Sequence, residues 1–267
     1  MAKIADNASV DPRAEIADDV VIGPFCVVGP EVSIGGGTRL ENHVTLTGRL
    51  RLGQHNHLYA GAVLGAEPQD LSYRGEQTEV IVGDHNTLRE GVTIHRATAK
   101  EEGLTSLGNH CYLMAGAHVA HDCRVGDHVT IANNTLLGGH VHIENQVTLS
   151  ATVAIHHFTT IGRCSFVGGL SRVVHDVPPF LLADGIPARP RCVNTVGLQR
   201  NGFPATEIHA LGKAFRLLFR EQTGAEVAQQ RLRERQLLTP AVHELIRFIQ
   251  GRQQGSQGRR RDARRVA

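Results

Sequence analysis

Sixteen histidines stand in a chain of 267 residues, and 14 of them precede residue 189. His121, Gly139, His157 and His175 are spaced by eighteen residues, with His118 and His140 beside them. Imidazole changes charge near neutral pH, so it can ligate a metal, activate a nucleophile or take a proton itself. A metal would draw on several rings, and a nucleophile would be Cys123, two residues after His121, activated by that base. General-base catalysis needs only one neutral ring within reach of a hydroxyl whose oxygen attacks an acyl thioester. His121 is then the base, and Asp122 fixes its tautomer if the chain turns both side chains the same way. Gly139 presents a bare backbone N–H to the developing oxyanion. No covalent intermediate is needed, because the thioester already carries the activation.

These spacings matter only if an element stacks residues eighteen apart. Stepping by six from Ile4 lands on Val10, Ile16, Ile22, Val28, Ile34, Leu40, Leu46, Leu52, Leu58 and Leu64. The step resumes at Val82, Leu88 and Ile94, then runs in a shifted frame from Leu107 to Val173. Small or β-branched residues such as Cys26, Ala117, Cys123 and Val129 usually stand four places on. A period of six fits neither a helix nor a plain amphipathic strand. It fits an all-β parallel β-helix of hexapeptide repeats, three hexads to each triangular coil, with coils stacked at ~4.8 Å. Residues eighteen apart then share a vertical line, and Cys123 points inward. A lone histidine is more often a solvated corner than a catalyst; a vertical stack of them is what singles out this edge.

The composition suits a narrow interior: no Trp, 8 Phe, 3 Tyr and 29 Gly leave Val, Ile, Leu and Ala to build it. Five scattered cysteines with no Cys-x-x-Cys read as small buried residues rather than a disulfide framework. No apolar run is long enough for a membrane span, and the opening residues resemble no signal peptide, so a cytoplasmic protein without integral membrane association is expected.

Residues 1–188 form the expected β-helix domain, interrupted by excursions near 66–78 and 96–106. Helical periodicity follows in 189–250, with Ile208, Leu211, Phe215 and Leu218 on one stripe, a second helix over 225–237, and Thr239-Pro240 as N-cap and N1 of a third ending at Gln250. Residues 251–267 are expected to be a basic disordered tail on which function does not depend. The body carries 12 Lys/Arg against 20 Asp/Glu, and residues 189–267 carry 16 against 6. The acidic body without aromatic platforms disfavours nucleic acid, while basic side chains between 189 and 235 would steer an acidic partner.

The motifs Pro68-Gln-Asp-Leu-Ser-Tyr73, Thr93-Ile-His-Arg-Ala-Thr98, Ala117-His-Val-Ala-His-Asp-Cys123, Ala132-Asn-Asn134, Gly138-Gly-His140, Asp176-Val-Pro-Pro179 and Asn194 through Gly202-Phe203 run in one order along the chain. In this the sequence resembles the UDP-N-acetylglucosamine O-acyltransferases, hexapeptide-repeat enzymes that open lipid A biosynthesis, over residues 4 to about 248. The resemblance implies a left-handed coil and a homotrimer with its active sites between subunits. A second prism is needed on physical grounds too, since the outward edge of one convex prism makes no pocket. It implies transfer of a 3-hydroxyacyl group from acyl carrier protein to the 3-position of UDP-N-acetylglucosamine, with no cofactor and no metal. His121 becomes the base, Asp122 its helper and Gly139 the oxyanion donor. His118, His140 and His156 join the site, Gln69, Asp70 and His95 lie near the sugar nucleotide, and Asn194 and Arg200 near the uridine diphosphate; His157, on the vertical line of His121, is read beside them as a substrate contact.

Hexapeptide-repeat carbonic anhydrases hold zinc with three histidines, two of them five apart, a spacing no pair here has. Four positions depart from the common acyltransferase pattern: Ser72 for Lys, His157 for Gln, Val196 for an acidic residue and Asn201 for a second Arg. These leave open a 3-hydroxyl or a 3-amino acceptor. Gly169, where a bulky residue would shorten the acyl pocket, points to a longer chain. The alternatives are a coenzyme A-dependent acyltransferase for another nucleotide sugar, or a non-catalytic sugar-nucleotide-binding scaffold.

Overall fold

A computed structural model describes residues 1–254 and 258–261. Each hexad folds as a short strand followed by a turn, because an aliphatic residue every sixth position can face one axis only if the chain bends between strands. Among the described residues the strands form three sheets of eleven, nine and eight strands, parallel throughout except for the last pair of the first. The first face holds Tyr112–Leu113 and Thr130–Ile131, the second His118–Val119 and Leu136–Leu137, the third Arg124–Val125 and His142–Ile143. Vertical register is eighteen residues in the upper coils, with Val119 beside Leu137 and Val125 beside Ile143. This is the expected left-handed parallel β-helix.

The excursions lengthen two coils without breaking the stack. Leu58 pairs with Leu88 and Leu88 with Leu113, so the surplus residues leave the prism between Ala66 and Glu79 and between His95 and Leu104. The second excursion is therefore shorter than 96–106, since Leu104–Leu107 already pairs with Glu79–Val82. Inside, the hexad aliphatics form one column, with Leu58, Leu88, Leu113, Ile131 and Leu149 fully buried. The first coil is the exception: Ile4 is 43% exposed, because no coil lies beneath it.

The β region runs past 188. Leu181–Gly185 and Ala188–Val193 pair antiparallel at the end of the first face, which moves the boundary to Val193. Among the described residues four α-helices follow: α1 (Thr195–Arg200), α2 (Ala205–Phe215, continued by a π-helical turn to Arg220), α3 (Ala225–Glu234) and α4 (Pro240–Gln254). The short α1 carries too few apolar positions to announce itself by period. α4 is docked by Val242, Leu245, Ile246 and Ile249 and continues past Gln250. Thr239 stands at the expected N-cap position, its carbonyl accepting from His243 N–H at 2.9 Å, while its hydroxyl donates to Glu207 Oε2 at 2.8 Å. Helices and last coils share a second core of Phe180, Leu198, Leu211, Phe215 and Leu245. Arg163 clamps it by donating to both Glu244 oxygens at 2.6 and 2.8 Å.

The expectation of a disordered tail over 251–267 fails for the described part. Residues 251–254 belong to α4, and Gly258–Arg261 makes a 3-10 turn against the prism, where Arg261 finds carbonyl acceptors on two coils. The remaining positions of that tail, 255–257 and 262–267, lie outside the described residues. No helix among the described residues is long and apolar enough to cross a membrane.

Candidate active site

The edge between the second and third faces is a column of left-handed turns. Asp122, His140 and Phe158 occupy equivalent places with φ of 59°, 61° and 62°. At Asp122 this turn brings the carboxylate back beside the preceding side chain. His121 Nδ1 lies 2.7 Å from Asp122 Oδ2, so Nδ1–H donates and Nε2 is left as the acceptor. Asp122 also accepts from the Thr98 N–H at 3.2 and 3.1 Å and from the Thr98 hydroxyl at 2.8 Å. Burial alone would raise its pKa, but the bonds from His121 and Thr98 outweigh that and hold the carboxyl below its ordinary value. Its own N–H donates to Thr105 Oγ1 at 2.8 Å.

Gly139 lies directly above His121. A Cβ added there would stand 2.6 Å from His121 Nε2, so glycine alone lets the ring seat against the backbone. The Gly139 carbonyl accepts from Phe158 N–H at 3.0 Å, while its own N–H has no hydrogen-bond partner among the described residues. His140 meets the His121 ring edge-on at 5.2 Å and stacks on Phe158 at 4.2 Å. His156 and His157 follow on the same edge, their rings 3.7 Å apart. His121, Asp122, Gly139, His140, His156 and His157 are thus brought together.

His118 and His95 stand beside them on the second face, their rings 5.2 Å apart. His118 Nδ1 is 2.7 Å from the Thr93 hydroxyl, and His95 Nδ1 donates to the Glu67 carbonyl at 2.7 Å. Burial first, then the neighbouring rings, pushes His118 down to about 4, and burial lowers His95 as well. On the third face burial likewise holds His142 near about 4. Between the ordinary 6.5 and about 4 the unfolded chain binds protons that these rings refuse, so stability falls as pH drops through that window. The melting temperature is expected to decline from pH 6.5 to 4, with a shallower decline in His118→Asn. An equal decline in that variant would assign the dependence to other groups.

Asp70 on the first excursion accepts from the Ser72 N–H and hydroxyl at 2.8 and 2.7 Å and from the Lys100 ammonium of the second. Lys100 foremost, then Ser72, holds its carboxyl far below the carboxylate range. Gln69 beside it is exposed. Lys100 therefore ties the second excursion to the first at Asp70, while Thr98 on that excursion and Thr105 on the strand after it reach Asp122. The motif through Thr98 contained the first of these contacts, but pairing over 24 residues leaves no spacing signal.

Three expected residues lie elsewhere on the chain. Asn194 and Arg200 line a cavity of about 530 Å³ on the outer side of the first face, with Thr148, Phe166, Val196 and Asn201. In a triangular coil that face is opposite the His121 edge. Asn194 also caps α1, accepting from Gly197 N–H at 3.2 Å and donating to the Cys164 carbonyl at 2.9 Å. Gly169 sits on the edge between the first and second faces, where a Cβ would stand 3.3 Å from the Ala151 carbonyl oxygen and 3.4 Å from Ser150 Oγ. One chain does not bring these three to His121.

Cys123 is fully buried, its thiol raised to about 12 by burial, which removes the nucleophile reading. Cys192 is exposed, unlike the other four, because it leaves the prism on the antiparallel strand. His121, Asp122 and His140 have ligating atoms within 4.8 Å of one another, but the Asp122 oxygen nearest both rings is already engaged by His121 and Thr98.

A hexad prism carrying a His–Asp dyad on one edge defines a hexapeptide-repeat transferase, and the bacterial transferase hexapeptide pattern matches residues 13–48 and 105–139. Residues 176–257 match the second domain of UDP-N-acetylglucosamine O-acyltransferase. The acyl-[acyl-carrier-protein]--UDP-N-acetylglucosamine O-acyltransferase of Gloeothece citriformis is 43% identical over 73% of this chain and 70% of its own. The solved LpxA of Acinetobacter baumannii superposes with a TM-score of 0.87 at 40% identity, over 91% of this chain and 95% of its own. The UDP-N-acetylglucosamine O-acyltransferase of Moraxella catarrhalis gives 0.88 at 40%, over 93% and 96%. The chain belongs to the UDP-N-acetylglucosamine O-acyltransferase family.

Proposed function

We propose that this chain transfers a 3-hydroxyacyl group from acyl carrier protein to the 3-position of UDP-N-acetylglucosamine, the opening step of lipid A biosynthesis, in the cytoplasm. The observation that carries the mechanism is the 2.7 Å contact from His121 Nδ1 to Asp122, which reserves Nε2 for the substrate beside the Gly139 backbone. His121 takes the proton of the sugar 3-hydroxyl as its oxygen attacks the thioester carbon. The oxyanion accepts the Gly139 N–H. Collapse breaks the C–S bond, and the imidazolium returns the proton to the carrier's thiolate.

The working unit is a homotrimer in this proposal. The His121 edge and the Asn194–Arg200 cavity lie on opposite sides of one prism, so a shared substrate needs a neighbour's face against that edge. Exposed Val27 and Leu136 on the second face, with Phe25 and Leu170 on the adjoining edge, are apolar groups that a neighbour would cover. Exposed Arg189, Arg191, Lys213, Arg216, Arg220, Arg231, Arg233 and Arg235 suit an acidic carrier protein. Gly169, also on that adjoining edge, leaves room for a long acyl chain.

Incubation with UDP-N-acetylglucosamine and 3-hydroxyacyl carrier protein is expected to give an acylated nucleotide sugar by mass. A product from acetyl- or acyl-coenzyme A instead, or none at all, would end the proposal. Co-expressing His121→Ala and Arg200→Ala chains tests the shared site. Mixed trimers are expected to recover roughly a quarter of the wild-type rate, because half-sites combine at random between subunits; no recovery would place both residues on one chain's site.

A further inference from the structure

We infer that Glu101, on the second excursion, is a positioning residue for the catalytic dyad: it holds the buried His140 ring edge-on against His121. The inference rests on the proposed function, in which His121 is the base.

His140 is 4% exposed, and its two nitrogens face two carboxylates. Nε2 lies 3.7 Å from Asp122 Oδ2 and Nδ1 lies 3.4 Å from Glu101 Oε1. Nδ1 is buried and makes no hydrogen bond among the described residues. Burying a ring nitrogen without a partner is costly, and the one carboxylate aimed at it among the described residues comes from a loop outside the prism. Contacts of this kind are long in a free enzyme and tighten in the reacting complex.

The remaining neighbours close every other direction. Phe158 stacks on the His140 ring with planes 2° apart, which fixes its plane but leaves it free to slide. His121 meets it at 89°. Arg261 Nη2 donates to the His140 and Phe158 carbonyls at 2.7 and 3.2 Å, and its Nη1 lies 2.9 Å from His142 Nε2 and 3.7 Å from Glu101. Stacking and these carbonyl bonds set the coil; among the described residues only Glu101 addresses Nδ1 and so opposes sliding. His140, foremost, holds the Glu101 carboxyl below its ordinary value, which keeps it ionised for the task. Lys100 anchors the same loop on Asp70 and Thr98 anchors it on Asp122 just before Glu101, and just after it Glu102 pairs with Arg124 at 2.7 Å.

The test compares Glu101→Gln, Glu101→Ala and Glu101→Asp in the full chain, acylating UDP-N-acetylglucosamine from 3-hydroxyacyl carrier protein. Glu101→Gln and Glu101→Ala are expected to lower kcat about tenfold, the scale of a small displacement of a catalytic group. KM for the nucleotide sugar should stay within about twofold, since no substrate contact is removed, and Glu101→Asp should recover most of the rate. Unchanged kcat in Gln and Ala variants overturns the assignment. So does a loss that appears only in KM, or one that tracks a lowered melting temperature in all three.

Side-chain 15N NMR of the histidines gives a readout that does not need turnover. The His140 ring signals, assigned with His140→Gln, are expected to move in Glu101→Gln while those of exposed His55 and His128 stay. Unmoved His140 signals overturn the proposal. Failure of the wild-type protein to acylate the nucleotide sugar counts against the proposed function alone.

Discussion

His121→Ala is expected to lower kcat about 10²- to 10⁴-fold, the range a positioned general base supplies. The loss should sit in kcat, because the ring's role is exercised in the transition state and not in holding ground-state substrate. The coil should survive. His121 points outward between Val119 and Val125, both buried in the hexad column, and Asp122 keeps its bonds from Thr98. Steady-state rates and a melting curve on the same preparation check this. Activity within a few-fold of wild type with an intact fold would remove His121 as the base.

Gly139→Ala is expected to cost about 10²-fold in kcat, although it adds a single methyl group distant in sequence from His121. That methyl would stand 2.4 Å from His121 Cε1 and 2.6 Å from Nε2, well inside van der Waals contact, so the ring must swing away. Edge-on His140 and the Asp122 bond limit where it can go. The backbone at 139 is ordinary for an alanine, so the effect is on the ring's seat and not on the turn. Measured kcat near the wild-type value would contradict the seating of imidazole on glycine one coil above.

Much of this site was legible because the fold is a repeat. Once hexads set three faces and a vertical step of eighteen, His121, Gly139 and His157 had to align, and inward placement of Cys123 followed from its position in the hexad. The helix pattern of Ile208, Leu211 and Phe215 likewise marked α2. Contacts made by the excursions followed no period. Thr98 on Asp122, Lys100 on Asp70 and Glu101 facing His140 depend on where surplus residues fold back, which the step of six does not govern. The same holds for Arg261, whose composition read as a solvated tail but whose guanidinium finds main-chain carbonyls at the edge.

By itself the sequence determined the prism, its core and the column of side chains on one edge, because a period of six leaves an aliphatic chain only one way to bury its apolar residues. Tertiary structure alone decided that the turn at Asp122 brings its carboxylate onto His121, and that two excursions brace the dyad. It also decided that Asn194 and Arg200 face away from His121. Those outcomes depend on left-handed turns, on loops returning across coils and on the triangular cross-section, all of them distances in space that no spacing along the chain encodes.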